Sequence, residues 1–370
     1  MCSSAIVSFS AWFVNSRCFE KLAGRKIIRA GARLVVAVWL CLATAPNGLC
    51  ADVPAPAVIA GGRRIDYLRS IASEKDVNPT RSFWNKLVDF VAGAPKYRHL
   101  VRPYAITTDS HGRIIVTDPG AQMVHIFDFA QKKYHHLEGG RHRRFESPIG
   151  VATDADDNIY VTDSLRGHIF VFDRDLHFRR FLGERGGEGI FKRPTGIVVD
   201  SAQRRIYLSD TLRHRIFILD LEGNVLGSFG ERGSAPGQLN FPTDLAWRDG
   251  ELLVLDAMNF RVQGFDPSGR LQRVFGQLGN STGSLSRPKG LAVDSEGDIY
   301  TAEALLEAVQ IFDGDGHFLY YFGNTGTGPG EFQLPAGVWI DPHDRIFVAD
   351  ALNRRVQVFQ FVRARGRGMP

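Results

Sequence analysis

Residues Pro335-Ala-Gly-Val-Trp-Ile-Asp341 begin a segment that recurs along the chain and decides its fold. The segment starts with proline, has glycine two residues later in four of six copies, and ends in aspartate in five. Consecutive copies are 45 to 48 residues apart. The other copies are Pro103–Asp109, Pro148–Asp154, Pro194–Asp200, Pro242–Trp247 and Pro288–Asp294. This constant period indicates a repeat architecture.

Each repeat contains four short stretches of β-branched and aromatic residues. In the second repeat, Ile159-Tyr-Val-Thr-Asp163 and Ile169-Phe-Val-Phe-Asp173 are two of these stretches, and turns rich in Asp and Gly separate them. No helical period runs through the repeats. Four antiparallel strands in each of six repeats predict an all-β, six-bladed β-propeller, in which the blades surround a central channel.

The sixth repeat resembles the NHL repeat. Ile346-Phe-Val-Ala-Asp350 and Asn353-Arg-Arg-Val-Gln-Val-Phe359 are similar to two segments of that repeat, and Phe322-Gly-Asn-Thr-Gly-Thr-Gly-Pro-Gly-Glu-Phe332 is similar to its spacer. The resemblance covers residues 64–362 and implies an NHL-type propeller of the exported bacterial kind. It implies little about function, because the family includes sensors, scaffolds, RNA-binding proteins and a few enzymes.

The sixth repeat is one strand short. Its strands are expected near residues 337–341, 346–350 and 356–362, and the basic tail at 363–370 cannot supply a fourth. Ile65-Asp-Tyr-Leu-Arg-Ser-Ile71 alternates like an outer strand and precedes the first repeat. We therefore predict that this N-terminal segment supplies the outer strand of the last blade and covers its open edge.

An insertion separates this strand from the first repeat. Residues 80–93 carry apolar side chains at helical spacing, which predicts one short amphipathic helix before blade 1. The helix could be a plug packed beside blade 1, a lid over the channel or a docking site for a partner. The predicted organisation is thus a closing strand and helix in residues 52–99, followed by six blades in residues 100–362.

The positive charge of the chain is concentrated at its start. The formal net charge is +5, and residues 1–51 hold six Lys and Arg against one Glu, so residues 52–370 sum to zero. A basic stretch, the apolar run Leu34–Ala45 and small residues before a cut near Ala51 predict a signal peptide in residues 1–51. An uncleaved membrane anchor is the alternative.

Without the predicted signal peptide, the remaining sequence argues against several classes of function. All four cysteines lie at or before the proposed cut, so the mature protein would have no disulfide, thiolate metal site or cysteine nucleophile. A neutral, exported domain argues against nucleic acid as a partner. We expect a monomer in the periplasm or outside the cell, in contact with a membrane only through an uncleaved leader.

An acidic residue closes the second strand of every repeat. Its presence in all six predicts a structural role, in which the carboxylate accepts hydrogen bonds from backbone N–H groups. In repeats 3, 4 and 6 an arginine five residues later could form a cross-strand ion pair with it. Acids without this arginine could instead bind a cation such as calcium or a basic group of a ligand. They are Asp118, Asp163 and Glu303.

Polar and aromatic residues that occur in a single repeat are the candidates for ligand binding. Asp244 stands where four other repeats have glycine, and it could form a charged pair with Lys289 at the channel mouth. Trp339 stands where the other repeats have smaller residues, so it could fill the channel as core or form an aromatic wall for a ligand. The predicted ligand contacts, none of them catalytic, are Tyr104, Asp244, Lys289, Glu303 and Trp339.

Motifs for catalysis are scarce. No histidine follows the six aligned prolines, where the resemblance to peptide-amidating lyases implies zinc ligands, and no Gly-x-Ser-x-Gly or phosphate loop is present. We therefore expect a non-catalytic binding or scaffold module, without a cofactor, for a protein, peptide or glycan ligand. The alternative is a lyase or hydrolase with calcium or zinc at the channel mouth, either like a peptide-amidating lyase or calcium-dependent.

Overall fold

A computed structural model of the chain describes residues 57–58, 64–77 and 97–362. The expected leader at 1–51, helix at 80–93 and tail at 363–370 lie outside these residues. No helix in the described part of the chain is long and apolar enough to span a membrane. The helical elements of that part are single 3-10 turns at Glu74–Asp76, Thr211–Arg213 and Ala257–Asn259.

Six antiparallel sheets of four or five strands form the blades of the described molecule, which confirms the predicted all-β, six-bladed propeller. Second and third strands are almost continuously apolar because neighbouring blades cover both of their faces. From inner to outer, the strands of blade 1 are Ile106–Thr108, Ile114–Asp118, Met123–Asp128 and Lys133–Leu137; of blade 2, Pro148–Thr153, Ile159–Asp163, His168–Phe172 and Phe178–Leu182; of blade 3, Pro194–Asp200, Arg205–Asp210, Arg215–Asp220 and Val225–Phe229.

The inner strands of successive blades contact one another, and the inner strand of blade 6 contacts that of blade 1, so the ring closes. Each inner strand begins at or just after the repeated proline. The strands of blade 4 are Pro242–Arg248, Glu251–Asp256, Arg261–Phe265 and Leu271–Phe275; of blade 5, Pro288–Val293, Ile299–Glu303, Ala308–Phe312 and Phe318–Phe322; of blade 6, Pro335–Ile340, Arg345–Asp350 and Arg355–Val362.

The outer strand of blade 6 is Arg64–Ile71, which confirms the predicted closure of the ring. It pairs antiparallel with Arg355–Val362, in a register that sets Ile65 opposite Phe361. The short strand Ala57–Val58 pairs with its outer edge. Ile65 and Ile71 are buried, so this strand adds apolar contacts as well as backbone hydrogen bonds.

Hydroxyl groups on second strands tie blades 1 to 4 together. Each is buried and donates to a carbonyl oxygen of the next blade's inner strand, which fixes the spacing of the strands around the channel. The three hydrogen bonds are Thr117 to Ile149 (2.7 Å), Thr162 to Thr195 (2.8 Å) and Ser209 to Pro242 (2.6 Å).

The antiparallel order gives the ring two different faces. One carries the loops that lead into the inner strands and the loops between second and third strands, and we call it the entrance face. The other carries the remaining turns, and we call it the opposite face. Short strand pairs stiffen three loops of the entrance face: Gly139–Gly140 with Arg143–Arg144, Glu184–Arg185 with Glu188–Gly189, and Asn324–Thr325 with Glu331–Phe332.

Candidate binding site at the channel mouth

The acid that closes each second strand holds the loop leading into the inner strand of its own blade. In all six blades a carboxylate oxygen accepts at least one backbone N–H bond from that loop, so the predicted structural role is confirmed. These hydrogen bonds to a carboxylate hold the loop in place just before the chain enters the inner strand that lines the channel. The donors are Val101 and Arg102 for Asp118, Glu146 and Ser147 for Asp163, Lys192 and Arg193 for Asp210, Asn240 for Asp256, Ser286 and Arg287 for Glu303, and Gln333 for Asp350.

Two of the three predicted arginine ion pairs form, and the third does not. In blade 3, Arg215 lies opposite Asp210 in the strand register, but its guanidinium group donates to the carbonyl oxygen of Gly230. The Asp210 carboxylate instead lies 3.6 Å from Arg213. The pairs that form have Nε–carboxylate distances of 2.8 Å and are Asp256–Arg261 and Asp350–Arg355.

The acids that lack this arginine are not equivalent as candidates for a cation. Both oxygens of Asp118 and of Asp163 accept backbone N–H bonds. In Glu303, Oε2 accepts two such bonds, whereas Oε1 is buried without a hydrogen-bond partner. Within the described residues, the groups of Asp and His close enough to share a cation all lie at turns of the opposite face: Asp109, His111 and Asp157; Asp173, Asp175 and His177; and Asp313, Asp315 and His317.

A cavity of about 210 Å³ lies in the central channel and is lined by the inner strands of all six blades. Its walls are mostly aliphatic, with residues such as Val151, Val198 and Leu291. Of the described residues that line it, Asp244 is the only one with an ionisable side chain. The channel is therefore an apolar pocket with a single carboxyl group near its entrance, an arrangement common in small-molecule sites.

Asp244 occupies a position where neighbouring inner strands come very close. A Cβ atom on the equivalent Gly337 would lie 2.3 Å from the carbonyl oxygen of Tyr104. The Asp244 carboxylate reaches the neighbouring inner strand of blade 5, where it accepts the N–H bond of Leu291 (2.9 Å). It also accepts the N–H bond of Leu245, the next residue of its own strand (3.0 Å). Burial raises the pKa of Asp244 to about 7. The predicted charged pair between Asp244 and Lys289 is absent from the described residues.

Tyr104 and Lys289 are one residue nearer to the entrance face than Asp244. Burial raises the pKa of Tyr104 to about 12, and the charge of nearby Asp244 acts in the same direction. Lys289 is partly buried, and no carboxylate forms an ion pair with it among the described residues. Burial lowers its pKa, and neighbouring arginine charges lower it further. The charge of Asp244 thus acts on Tyr104, and the Lys289 ammonium lies among like charges.

Those like charges belong to three arginines that the sequence analysis missed. Arg102, Arg193 and Arg287 each directly precede the proline of an inner strand, in blades 1, 3 and 5. Alternate blades of a six-bladed ring are related by a pseudo-three-fold axis along the channel, so the three side chains surround its mouth. All three are exposed, and none forms an ion pair within the described residues. Alignment of the position before each proline would have shown this alternation.

Trp339 lines the channel cavity and is partly buried. Its Nε1–H group donates to Thr108 Oγ1 at 3.0 Å, which fixes the indole against blade 1. Trp247, which the sequence analysis did not single out, also lines the cavity and stacks on Tyr207 with 4.9 Å between ring centroids. Trp339 therefore forms part of the cavity wall and leaves open space beside it.

Glu303 lies apart from the other four candidates. It closes the second strand of blade 5, is fully buried, and does not line the channel cavity. The predicted set thus divides into three parts: Asp244 and Trp339 line the channel cavity, Tyr104 and Lys289 lie one residue nearer to the entrance face without lining it, and Glu303 is a separate carboxyl group in blade 5.

Comparison with known proteins supports the architecture. A family model described as a 6-bladed beta-propeller (DUF5128) matches residues 109–229 and 294–363, which together make up more than half of the chain. The match establishes the six-bladed propeller and does not identify NHL repeats as such. No curated protein sequence matches the chain.

Solved propellers with different functions are similar in structure at low sequence identity. A gluconolactonase from Xanthomonas campestris has 15% identity and a TM-score of 0.55, covering 86% of this chain and 99% of the other. An auxiliary nutrient binding protein from Bacteroides thetaiotaomicron has 14% identity and a TM-score of 0.55, covering 71% and 69%. Virginiamycin B lyase from Staphylococcus aureus has 13% identity and a TM-score of 0.52, covering 71% and 96%. These similarities show the fold alone.

Proposed function

Since the chain belongs to the DUF5128 family of 6-bladed beta-propellers, we propose that it uses this fold as a non-catalytic binding module. The ligand is a peptide or glycan that carries carboxylate groups, and it binds at the channel mouth on the entrance face. One observation carries the proposal: four basic side chains gather around that mouth without acidic partners among the described residues. They are Arg102, Arg193, Arg287 and Lys289.

Clustering of like charges is unfavourable in the free protein, and an anionic ligand would offset that repulsion. Guanidinium groups suit this ligand because they bind carboxylates with two parallel hydrogen bonds. The apolar channel below the mouth, with Trp339 in its wall, could receive an uncharged part of the same ligand. Asp244 would then lie between the basic mouth and the apolar wall.

The enzymatic alternative has less support. A calcium or zinc ion at the mouth needs several oxygen or nitrogen ligands, whereas Asp244 supplies the only carboxyl group among the described residues that line the channel cavity. Both oxygens of Asp244 already accept backbone N–H bonds. The proposal also includes export through the predicted leader to the periplasm or beyond the cell, action as a monomer, and no role for nucleic acid.

Isothermal titration calorimetry with acidic and neutral probes tests the proposal. We expect tri-glutamate peptide or tri-galacturonate to bind, and tri-glutamine peptide to bind at least about tenfold more weakly. Tri-glutamate and tri-galacturonate also distinguish a peptide ligand from a glycan ligand.

Charge-removing variants locate the site. Arg193→Ala should weaken binding of the acidic probe about tenfold. Arg270→Ala is the matched control, because Arg270 is exposed in a turn of the opposite face, and it should leave binding unchanged. Equal binding of acidic and neutral probes, no binding of either, or equal effects of the two variants would contradict the proposal.

A further inference from the structure

Blade 6 contains a complete binding site for a guanidinium group, built on its entrance-face loop. Arg355 donates from Nε to the Asp350 carboxylate at 2.8 Å. Its two terminal nitrogens donate to the carbonyl oxygens of Thr327 (2.7 Å), Gly328 (2.7 Å) and Glu331 (2.8 Å). We call this combination of one carboxylate and three carbonyl oxygens the guanidinium cradle.

Blade 4 repeats the guanidinium cradle with different side chains on the loop. Arg261 donates to the Asp256 carboxylate at 2.8 Å and to the carbonyl oxygens of Ser234 (2.8 Å), Ala235 (2.9 Å) and Gln238 (2.8 Å). Because the carbonyl oxygens belong to the backbone, the cradle depends on the loop conformation rather than on the identity of the loop residues.

Blade 5 keeps the framework of the cradle but lacks its arginine. Glu303-Ala-Leu-Leu-Glu-Ala-Val-Gln310 aligns with Asp350-Ala-Leu-Asn-Arg-Arg-Val-Gln357. Ala308 therefore stands in place of Arg355, and Leu306 stands in place of Asn353, whose amide donates to Asp350 at 2.8 Å. Two of the three side-chain donors that serve the acid in blade 6 are thus apolar in blade 5, whereas the third, Gln357, is retained as Gln310.

The loop of blade 5 nevertheless has the same conformation. Gln310 donates to the carbonyl oxygen of Ser284 at 2.8 Å and accepts from the N–H of Gly283 at 2.6 Å. Gln357 of blade 6 makes the corresponding bonds to Glu331 and Gly330, at 2.6 and 2.9 Å. The carbonyl groups equivalent to those of Thr327, Gly328 and Glu331 are therefore those of Asn280, Ser281 and Ser284.

Two independent features of blade 5 point to a ligand. A pocket of about 400 Å³ opens where the arginine side chain runs in blades 4 and 6, and its lining includes Asn280, Ser281, Ala308 and Gln310. Glu303 does not line the pocket but lies directly opposite Ala308 in the strand register. The second feature is the buried Oε1 atom of Glu303, which has no hydrogen-bond partner among the described residues. Burial raises the pKa of this carboxyl group to about 7, and no cation is among the causes that lower it.

We propose that the pocket beside Ala308 binds a guanidinium group supplied from outside the blade, as the side chain of an arginine. The ligand would complete in blade 5 the set of contacts that Arg261 and Arg355 make within their own blades. An unpaired buried carboxyl group is destabilising, and pairing with a planar five-donor cation offsets this cost. An ammonium ion cannot reach one carboxylate and three spread carbonyl oxygens at once, so the site discriminates between arginine and lysine.

Calorimetric titration of the whole chain with ethylguanidinium tests the proposal, with ethylammonium as the control cation. We expect one ethylguanidinium site per chain and binding of ethylammonium at least about tenfold weaker. Free arginine and a peptide with arginine between two glycines form two further arms. Stronger binding of the peptide would show that the arginine belongs to a partner chain, and stronger binding of free arginine would show a metabolite site.

Variants of blade 5 locate the site. Ala308→Arg should abolish ethylguanidinium binding and raise Tm, because the new side chain fills the cradle from within. Glu303→Gln should weaken binding at least about tenfold while leaving the pocket open. Ala308→Leu is the uncharged control, and it should block binding without the same gain in Tm.

The other blades supply a gain-of-site test. Arg261→Ala should open an equivalent pocket in blade 4, so the stoichiometry should rise from one to two ethylguanidinium ions per chain. If Arg261→Ala does not fold, the blade 5 variants test the proposal without it. No binding to the unaltered chain, or binding that Ala308→Arg leaves intact, would overturn the proposal. The result is independent of the proposed function, because the acidic probes report on the channel mouth.

Discussion

Glu303 and Asp350 show how one repeated position acquires different chemistry from its neighbours. Both close a second strand, are fully buried and accept backbone N–H bonds from their entrance loops. Asp350 also receives the guanidinium group of Arg355, whereas the cross-strand neighbour of Glu303 is Ala308. The side chain five residues away therefore decides whether the carboxyl group belongs to an ion pair or is available to a ligand.

The pH dependence of stability should report the state of Glu303. Its pKa rises from 4.5 to about 7 on burial, so the folded protein binds this proton more tightly than the unfolded chain does. The resulting stability is present below pH 4.5 and is lost as the pH rises through about 7. Urea unfolding of Glu303→Gln should show a loss smaller by about 3 kcal/mol, because the buried carboxyl group of Asp244 still contributes its own loss in this pH range. Parallel stability curves for the two proteins would contradict the assignment.

Inner strands are the elements that bring the candidate residues together. Backbone groups of adjacent strands approach closely enough for the N–H of Gly337 to donate to the carbonyl oxygen of Tyr104 at 2.7 Å. Glycine at this position leaves room for that contact. In blade 4 the same position is Asp244, whose side chain bridges to Leu291 instead. Replacement of glycine by aspartate at this one position thus places a carboxyl group in the channel cavity, the only one among the described residues that line it.

Addition of a methyl group at the seam between blades 6 and 1 should destabilise the protein. In Gly337→Ala the new Cβ would lie 2.3 Å from the carbonyl oxygen of Tyr104, so the strands must separate. We expect a loss of about 2 kcal/mol in the free energy of unfolding, measured by urea titration. Gly227→Ala is the control, because nothing lies within 4 Å of its added Cβ, and its unfolding curve should show no comparable loss.

Closure is a property of the whole ring rather than of any one blade. The strand Arg64–Ile71 comes from before the first blade and covers the edge of Arg355–Val362 in the last. Chain segments far apart in sequence thus complete one sheet, and ring stability depends on both. An exposed edge at blade 6 would leave backbone groups of a long apolar strand unpaired.

Deletion of residues 57–71 should therefore unfold the ring as a unit. Circular dichroism melts should show that the cooperative transition of the parent is lost, because blade 6 can no longer hold blade 1 through its inner strand. Deletion of the tail 363–370 is the control, and it should leave the melt unchanged. A cooperative melt at the parent's temperature after removal of 57–71 would refute this dependence.

The repeat pattern by itself determined the number of blades, the order of strands and the origin of the closing strand. These features follow from local residue preferences, turn chemistry and a constant period, all of which can be read along the chain. The same pattern identified the acid of each second strand as structural and Glu303 as lacking an arginine.

Only the tertiary structure decided which of these residues act together. Arg102, Arg193 and Arg287 lie far apart in sequence, and the ring gathers them around one mouth. The Asp244 carboxylate does not pair with Lys289 as expected but accepts backbone N–H bonds from Leu245 of its own strand and from Leu291 of blade 5. Arg215 likewise donates to the carbonyl oxygen of Gly230 instead of pairing with Asp210. The repeat pattern of the sequence specifies the strands and turns. The partner of each side chain depends instead on distances between residues of different blades, which local sequence does not encode.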